Sequence, residues 1–184
     1  MGILGESLDK AVANTATRPA PKSAGAQMRY LVKQLKGTRA VARALGISQR
    51  TVERYVRNQI RTPRPDLAAR LAGEVRRRWQ PRVRERAKRT AASTTGIVVE
   101  TRARFGFSAA PGTTDDGRVR RITQHLPAEY AARLFDAQAA GASEQQLRVV
   151  IAEGLQEQYF KDSGRRAPGL QVEFTDIDYV ELDF

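Results

Sequence analysis

Apolar residues recur along this chain with two different periods, and the point where the period changes divides it. Over residues 26–36, Met28, Leu31, Val32 and Leu35 return every three or four positions, which places them on one face of a helix. The next stretch, residues 38–60, reads as a helix-turn-helix: two short helices joined at a sharp corner. Ala42 is small enough for close packing, Gly46 has the backbone freedom a tight turn needs, and Ile47 is an apolar plug behind it. Ser48 stands where an N-cap belongs, and Val52, Tyr55 and Val56 bury one stripe of the helix that it opens. Pro63 and Pro65 stop that helix. Asp66 opens another, with Leu67, Leu71 and Val75 on one face and Trp79 near its end. A lone aromatic at helical spacing packs inward more readily than it stacks on a base. Pro81 ends or kinks the run, because it lacks an amide hydrogen and its ring clashes with the preceding turn.

Period two takes over near Gly96. Ile97, Val99, Thr101, Ala103, Phe105 and Phe107 alternate with Val98, Glu100, Arg102, Arg104 and Gly106, the pattern of a strand with one buried face. Residues 118–126 carry a weaker strand pattern, and the turn formers of 109–117 make a long hairpin of the pair. Pro127 suits the first turn of a helix through Tyr130, Leu134 and Phe135 to Gly141. Ser143 and Gln146 have the spacing of a capping box for a helix carrying Leu147, Val150, Ile151 and Leu155. Residues 169–184 alternate once more and are acidic on their polar side. The expected fold class is α+β. An all-helical helix-turn-helix domain with a basic helical extension spans 25–92, and a small β-β-α-α-β domain spans 96–184. Residues 1–24 pass from a short amphipathic stretch at 3–12 into a polar, proline-rich run, and read as a flexible arm.

Charge is split along the same line. Through Glu100 there are 22 basic and 7 acidic residues, a formal +15; beyond it there are 10 and 13, a formal −3, within the +12 of the whole chain. A polyanion such as DNA, bound by counterion release, is the partner this first part fits. The reading helix would turn Gln49, Arg50, Glu53, Arg54 and Arg57 to a major groove, with Arg39, Arg43, Ser48 and Thr51 close by. An ordinary helical hairpin with a solvated basic face is the plainer alternative. Residues 82–89 are strongly basic and are either a solvated face or a further phosphate contact. No stretch approaches the roughly 18 apolar residues of a membrane span and no signal peptide opens the chain, so a cytoplasmic protein without membrane contact is expected. The absence of cysteine excludes disulfides, thiolate catalysis and cysteine-ligated zinc.

Catalytic patterns are scarce. His125 is the one histidine and cannot build a metal cluster alone; no glycine-rich phosphate loop and no nucleophile elbow occur. An enzyme is therefore not expected. The run Pro111-Gly-Thr-Thr-Asp-Asp-Gly117 has chemical potential as a substrate instead. Thr113 and Thr114 are simple turn residues in one reading; in another, a hydroxyl at a hairpin tip enters the active site of a different protein. An alcohol is a poor nucleophile at neutral pH, and a polymerase overcomes this with two metal ions that lower its pKa and clamp an in-line displacement at phosphorus. Asp115 and Asp116 are either a soluble turn or a contribution to such a metal-bound site.

Taken over essentially all 184 residues, the chain resembles the telomere terminal proteins of linear actinomycete (Streptomyces-type) chromosomes and plasmids. The most specific segments are residues 38–60 and the Thr-Thr-Asp-Asp loop. The resemblance implies a protein covalently attached to 5′ telomere ends, whose threonine hydroxyl primes DNA synthesis by accepting the first nucleotide, dCMP. Thr114 matches that acceptor, with Thr113 the nearest competitor, and Asp115 and Asp116 are the candidates for orienting a metal or nucleotide. It implies no intrinsic cofactor, Mg²⁺ and dNTP arriving with a DNA polymerase. The implied partners are telomeric DNA, that polymerase and a telomere-associated protein, at chromosome ends in the nucleoid, with a homo-oligomer left open. The competing class is a helix-turn-helix transcriptional regulator whose second domain dimerises or senses an effector.

Overall fold

The computed structural model describes residues 2–108, 118–165 and 169–184. In chain order its elements are α1 (Ile3–Asn14), α2 (Ala24–Leu35), α3 (Thr38–Leu45), α4 (Gln49–Val56), α5 (Pro65–Arg78), α6 (Pro81–Thr90), β1 (Ile97–Ser108), β2 (Arg118–Leu126), α7 (Ala128–Ala139), α8 (Glu144–Leu155) and β3 (Gln171–Asp183). Residues Ala91–Thr95 and Gln156–Phe160 wind as π-helical turns after α6 and α8. The fold is mixed α+β and forms two compact units, Ala16–Val83 and a second that joins Met1–Thr15 to Arg84–Phe184.

The first unit is helical. Met28, Leu31, Val41, Leu45, Val52 and Leu71 are fully buried between α2, α3, α4 and α5. Two of the helix starts have a local cause: the Ser23 hydroxyl accepts from the Ala26 amide at α2, and Pro65 with Asp66 opens α5. Gly25 lets α2 approach the end of α4, since a Cβ there would lie 2.3 Å from the Asn58 side-chain oxygen and 3.1 Å from the Tyr55 carbonyl. Trp79 packs edge-on against Tyr30 with ring centroids 4.9 Å apart, and its indole N–H donates to the Arg18 carbonyl at 2.8 Å.

The second unit is a three-stranded antiparallel sheet in the order β2-β1-β3, with helices on one face. β1 pairs with β2 from Ile97↔Leu126 to Phe105↔Arg118, and with β3 from Val98↔Asp183 to Ser108↔Gln171. Ile97, Val99, Thr101, Ala103 and Phe105 are buried, while Val98, Arg102 and Arg104 between them are exposed, so the period-two pattern is read out as two faces of one strand. The buried Thr101 hydroxyl donates to the Tyr179 carbonyl at 2.8 Å, where the β1–β3 register shifts. Helix α8 opens with a reciprocal capping box between Ser143 and Gln146.

The expectation of a flexible arm over residues 1–24 is corrected. α1 is a helix whose Leu4, Leu8, Ala11 and Val12 belong to the core of the sheet-containing unit. Gly2 offers α1 no side-chain cap, and the Glu144 carboxylate accepts from the Leu4 and Gly5 amides instead, at 2.8 and 3.4 Å. The Ser7 hydroxyl accepts from the Leu182 amide at 3.0 Å, satisfying a donor on the outer edge of β3. Residues 16–22 are likewise held: the Thr17 amide donates to the Gln80 side chain, and Gln27 donates to the Pro21 carbonyl. The domain limits shift accordingly, because the unit with the sheet takes in the first fifteen residues and begins again at Arg84.

Leu8 is 1% exposed, so Leu8→Ala is expected to destabilise the sheet-containing unit by about 2–5 kcal/mol in denaturant unfolding followed by near-ultraviolet circular dichroism. A free arm would leave the midpoint unmoved.

Candidate nucleic-acid interface

Two places carry the residues that the sequence singles out, one in each unit. In the helical unit, α3 ends at Gly46, which adopts the left-handed conformation (φ +62°) and turns the chain toward α4. The Ile47 amide returns to the Ala42 carbonyl at 3.0 Å, which closes the corner. The Ser48 hydroxyl then caps α4 by accepting from the Thr51 amide and hydrogen-bonds the Thr51 hydroxyl at 2.9 Å. Ser48 and Thr51 thus spend hydrogen-bonding capacity on holding the helix start. At the other end Arg29 donates to the Val56 carbonyl at 3.0 Å and to the Asn58 side chain at 3.3 Å, engaging a carbonyl that the helix leaves free.

With Val52 and Tyr55 buried, α4 turns a polar face outward. Gln49, Arg50, Arg54 and Arg57 are exposed on it, and together with Glu53 and Gln59 they line one shallow concavity. The Gln49 amide donates to the Glu53 carboxylate at 2.9 Å, so that Glu53 restrains one of the exposed groups on its own face. Arg39 and Arg43 are exposed on α3. The structure therefore brings Gln49, Arg50, Arg54 and Arg57 together, and places Arg39 and Arg43 on the neighbouring helix. Sequence reasoning missed Glu74, a buried carboxylate on α5 that forms ion pairs with Arg77 and Arg78. Its signal was the i,i+3 and i,i+4 spacing to those arginines.

In the other unit Thr113, Thr114, Asp115 and Asp116 lie outside the described residues, within the segment that joins β1 to β2. The strands leading to it are basic: Arg102 pairs with Arg121 across the ladder, Arg120 stands one rung nearer the segment opposite Ala103, and Arg104 two rungs nearer opposite Val119. Like charges facing each other weaken a sheet. Here they are compensated, Arg121 by Glu100 at 2.8 Å and Arg102 by Asp178 at 3.2 Å. The Tyr179 hydroxyl also donates to Glu100, at 2.9 Å. The Arg121 hydrogen bond first, and the Tyr179 hydrogen bond second, hold the Glu100 carboxyl below the ordinary glutamate value. His125 is exposed and its ring hydrogen-bonds the Thr95 carbonyl.

Among the described residues, no group of three or more His, Asp or Glu side chains converges to hold a metal ion, and no helix is long and apolar enough to cross a membrane. No protein-family model, no curated protein and no solved structure matches this chain.

Because the folded-state pKa of Glu100 is depressed, its contribution to stability is present above the ordinary glutamate range and is lost as the pH falls through the depressed value. Carbon-13 titration of the glutamate carboxyls should place the Glu100 midpoint below the ordinary glutamate value in the wild type, and Tyr179→Phe should move it upward. An unchanged midpoint in that variant would remove the hydroxyl from the network.

Proposed function

We propose that this chain is a DNA terminal protein, in which a helix-turn-helix made by α3 and α4 holds telomeric DNA and the Thr114 hydroxyl serves as the primer for DNA synthesis. The observation that carries the reading is the position of Thr114, in the residues that join two long antiparallel strands. The α3–α4 corner supports the DNA-binding half: a capped short helix with a buried apolar stripe has an outer face of Gln49, Arg50, Arg54 and Arg57.

The chemistry is a nucleotidyl transfer in which this protein is the substrate. The Thr114 oxygen attacks the α-phosphorus of dCTP, a threonine–phosphate ester bond forms, and the bond to the pyrophosphate leaving group breaks. The hydroxyl proton passes to a base or solvent at the polymerase site, and the 3′-hydroxyl of the linked dCMP is then available for extension. Mg²⁺ ions bound by the DNA polymerase supply the activation of the alcohol and the charge stabilisation. Asp115 and Asp116 follow the acceptor directly and would help to orient the metal-bound nucleotide. A telomere-associated protein would bring the terminal protein to the telomere end. This division of labour asks no catalysis of the chain itself.

Incubation with labelled dCTP, Mg²⁺ and polymerase extract is expected to yield a protein–nucleotide adduct in the wild type and in Thr113→Ala, and none in Thr114→Ala, which retains its DNA affinity. Arg54→Ala is expected to keep the adduct chemistry while weakening duplex binding by about 1–3 kcal/mol, read by fluorescence anisotropy. A wild-type protein that forms no adduct yet binds a palindromic duplex as a dimer would instead be a transcriptional regulator.

A further inference from the structure

Helix α6 (Pro81–Thr90) has no buried residue. A helix with no buried side chain gains little from packing and depends on its own side-chain pairs. Its ten residues carry Arg82, Arg84, Arg86, Lys88 and Arg89 against the single acid Glu85. The cations are not equivalent. Val83, Arg84, Ala87 and Lys88 are half-buried on one side; Lys88 pairs with Glu85 at 3.0 Å and lies 5.9 Å from the Phe135 ring centre. Arg82, Arg86 and Arg89 are exposed. With 3.6 residues per turn, positions i, i+4 and i+7 fall on one stripe about 10 Å long.

Among the described residues, Arg82, Arg86 and Arg89 form no ion pair; the one contact of this kind is a hydrogen bond from the Arg89 Nε to the Glu85 carbonyl. Three aligned like charges at these spacings oppose helix formation, so the fold gives no reason for them. A ligand with regularly spaced negative charges does. We propose that Arg82, Arg86 and Arg89 are a phosphate-tracking contact, which grips the phosphodiester backbone of nucleic acid without reading its sequence. The proposal rests on the DNA-bound reading above and adds a second surface to it, separate in the sequence from α4. Guanidinium groups suit this role because each presents several donors to phosphate oxygens and stays charged at all working pH.

The test is the salt dependence of binding by the full chain and by R82Q/R86Q/R89Q, measured by fluorescence anisotropy between about 50 and 200 mM salt. The probes are a random-sequence duplex and an oligo(dT) single strand, each about 30 nucleotides long. Each phosphate contact contributes roughly 0.9 to the slope of log K against log salt on duplex and roughly 0.7 on single strands, so the triple variant should lose about 2–3 on the probe it grips. The circular dichroism melting temperature should not fall, since the variant removes like-charge repulsion from the helix. If the triple variant loses its fold, R86Q alone is read, with an expected loss close to 1. A wild type with steep salt dependence and a triple variant with the same slope overturns the stripe while leaving α4 as the DNA contact. A wild type that binds neither probe overturns both readings. Binding to phosphatidylserine vesicles that is lost in the triple variant, with both nucleic-acid slopes intact, overturns it in favour of a membrane surface.

Discussion

The sheet has one strand with hydrogen-bonded neighbours on both sides, and most of the second unit follows from that constraint on β1. Its alternation commits Ile97, Val99, Ala103 and Phe105 to the helix-covered face, and the neighbouring strands must match that phase for their own apolar residues to be buried. Val180 and Leu182 on β3 and Ile122 and Leu126 on β2 do so. The same alternation puts Glu100, Arg102 and Arg104 on the opposite face, beside Arg121 of β2. Charge compensation by Glu100 and Asp178 is therefore a requirement of the register, and the hydroxyl of Tyr179 completes it from the other edge.

In the helical unit the limiting factor is length. α3 and α4 have eight residues each, too few to be stable as isolated helices in water. Both persist through a buried face, and α4 has both of its ends occupied as well. Ser48 takes up an amide at the start of α4, Arg29 takes up a carbonyl at its end, and Val52 and Tyr55 bury the inner stripe. The exposed side of α4 is left to arginines because no structural task remains for them there. A capped, well-packed short helix also presents its outer groups in fixed geometry, as recognition of a groove requires.

Much of this was legible because it is local. The corner at Gly46, the cap at Ser48, the capping box at Ser143 and the alternation of β1 are each written within a few neighbouring residues, and each appears where its pattern lies. What the sequence concealed is non-local. The apolar stripe of α1 was visible, but its partner surface is β3, and the proline-rich run that follows outweighed it. Glu74 was hidden for a related reason: a carboxylate on an arginine-rich helix reads as solvated until the fold shows that its own side is covered. The exposed face of α4 could be named residue by residue, whereas the bond from Arg29 to the Val56 carbonyl joins two helices through side-chain geometry that no spacing rule specifies.

The contact between Ser7 and Leu182 spans 175 positions, and it sets an order of events during synthesis. The helical unit is complete once Val83 has left the ribosome, so it can close while the rest of the chain is still being made. Helix α1 emerges before it but has no β3 to cover until residues 171–183 have been made. Through that interval its leucines lack the strand that completes their cover. Slow translation of β3 would therefore prolong the exposure of the α1 stripe, even though the two are remote in the gene.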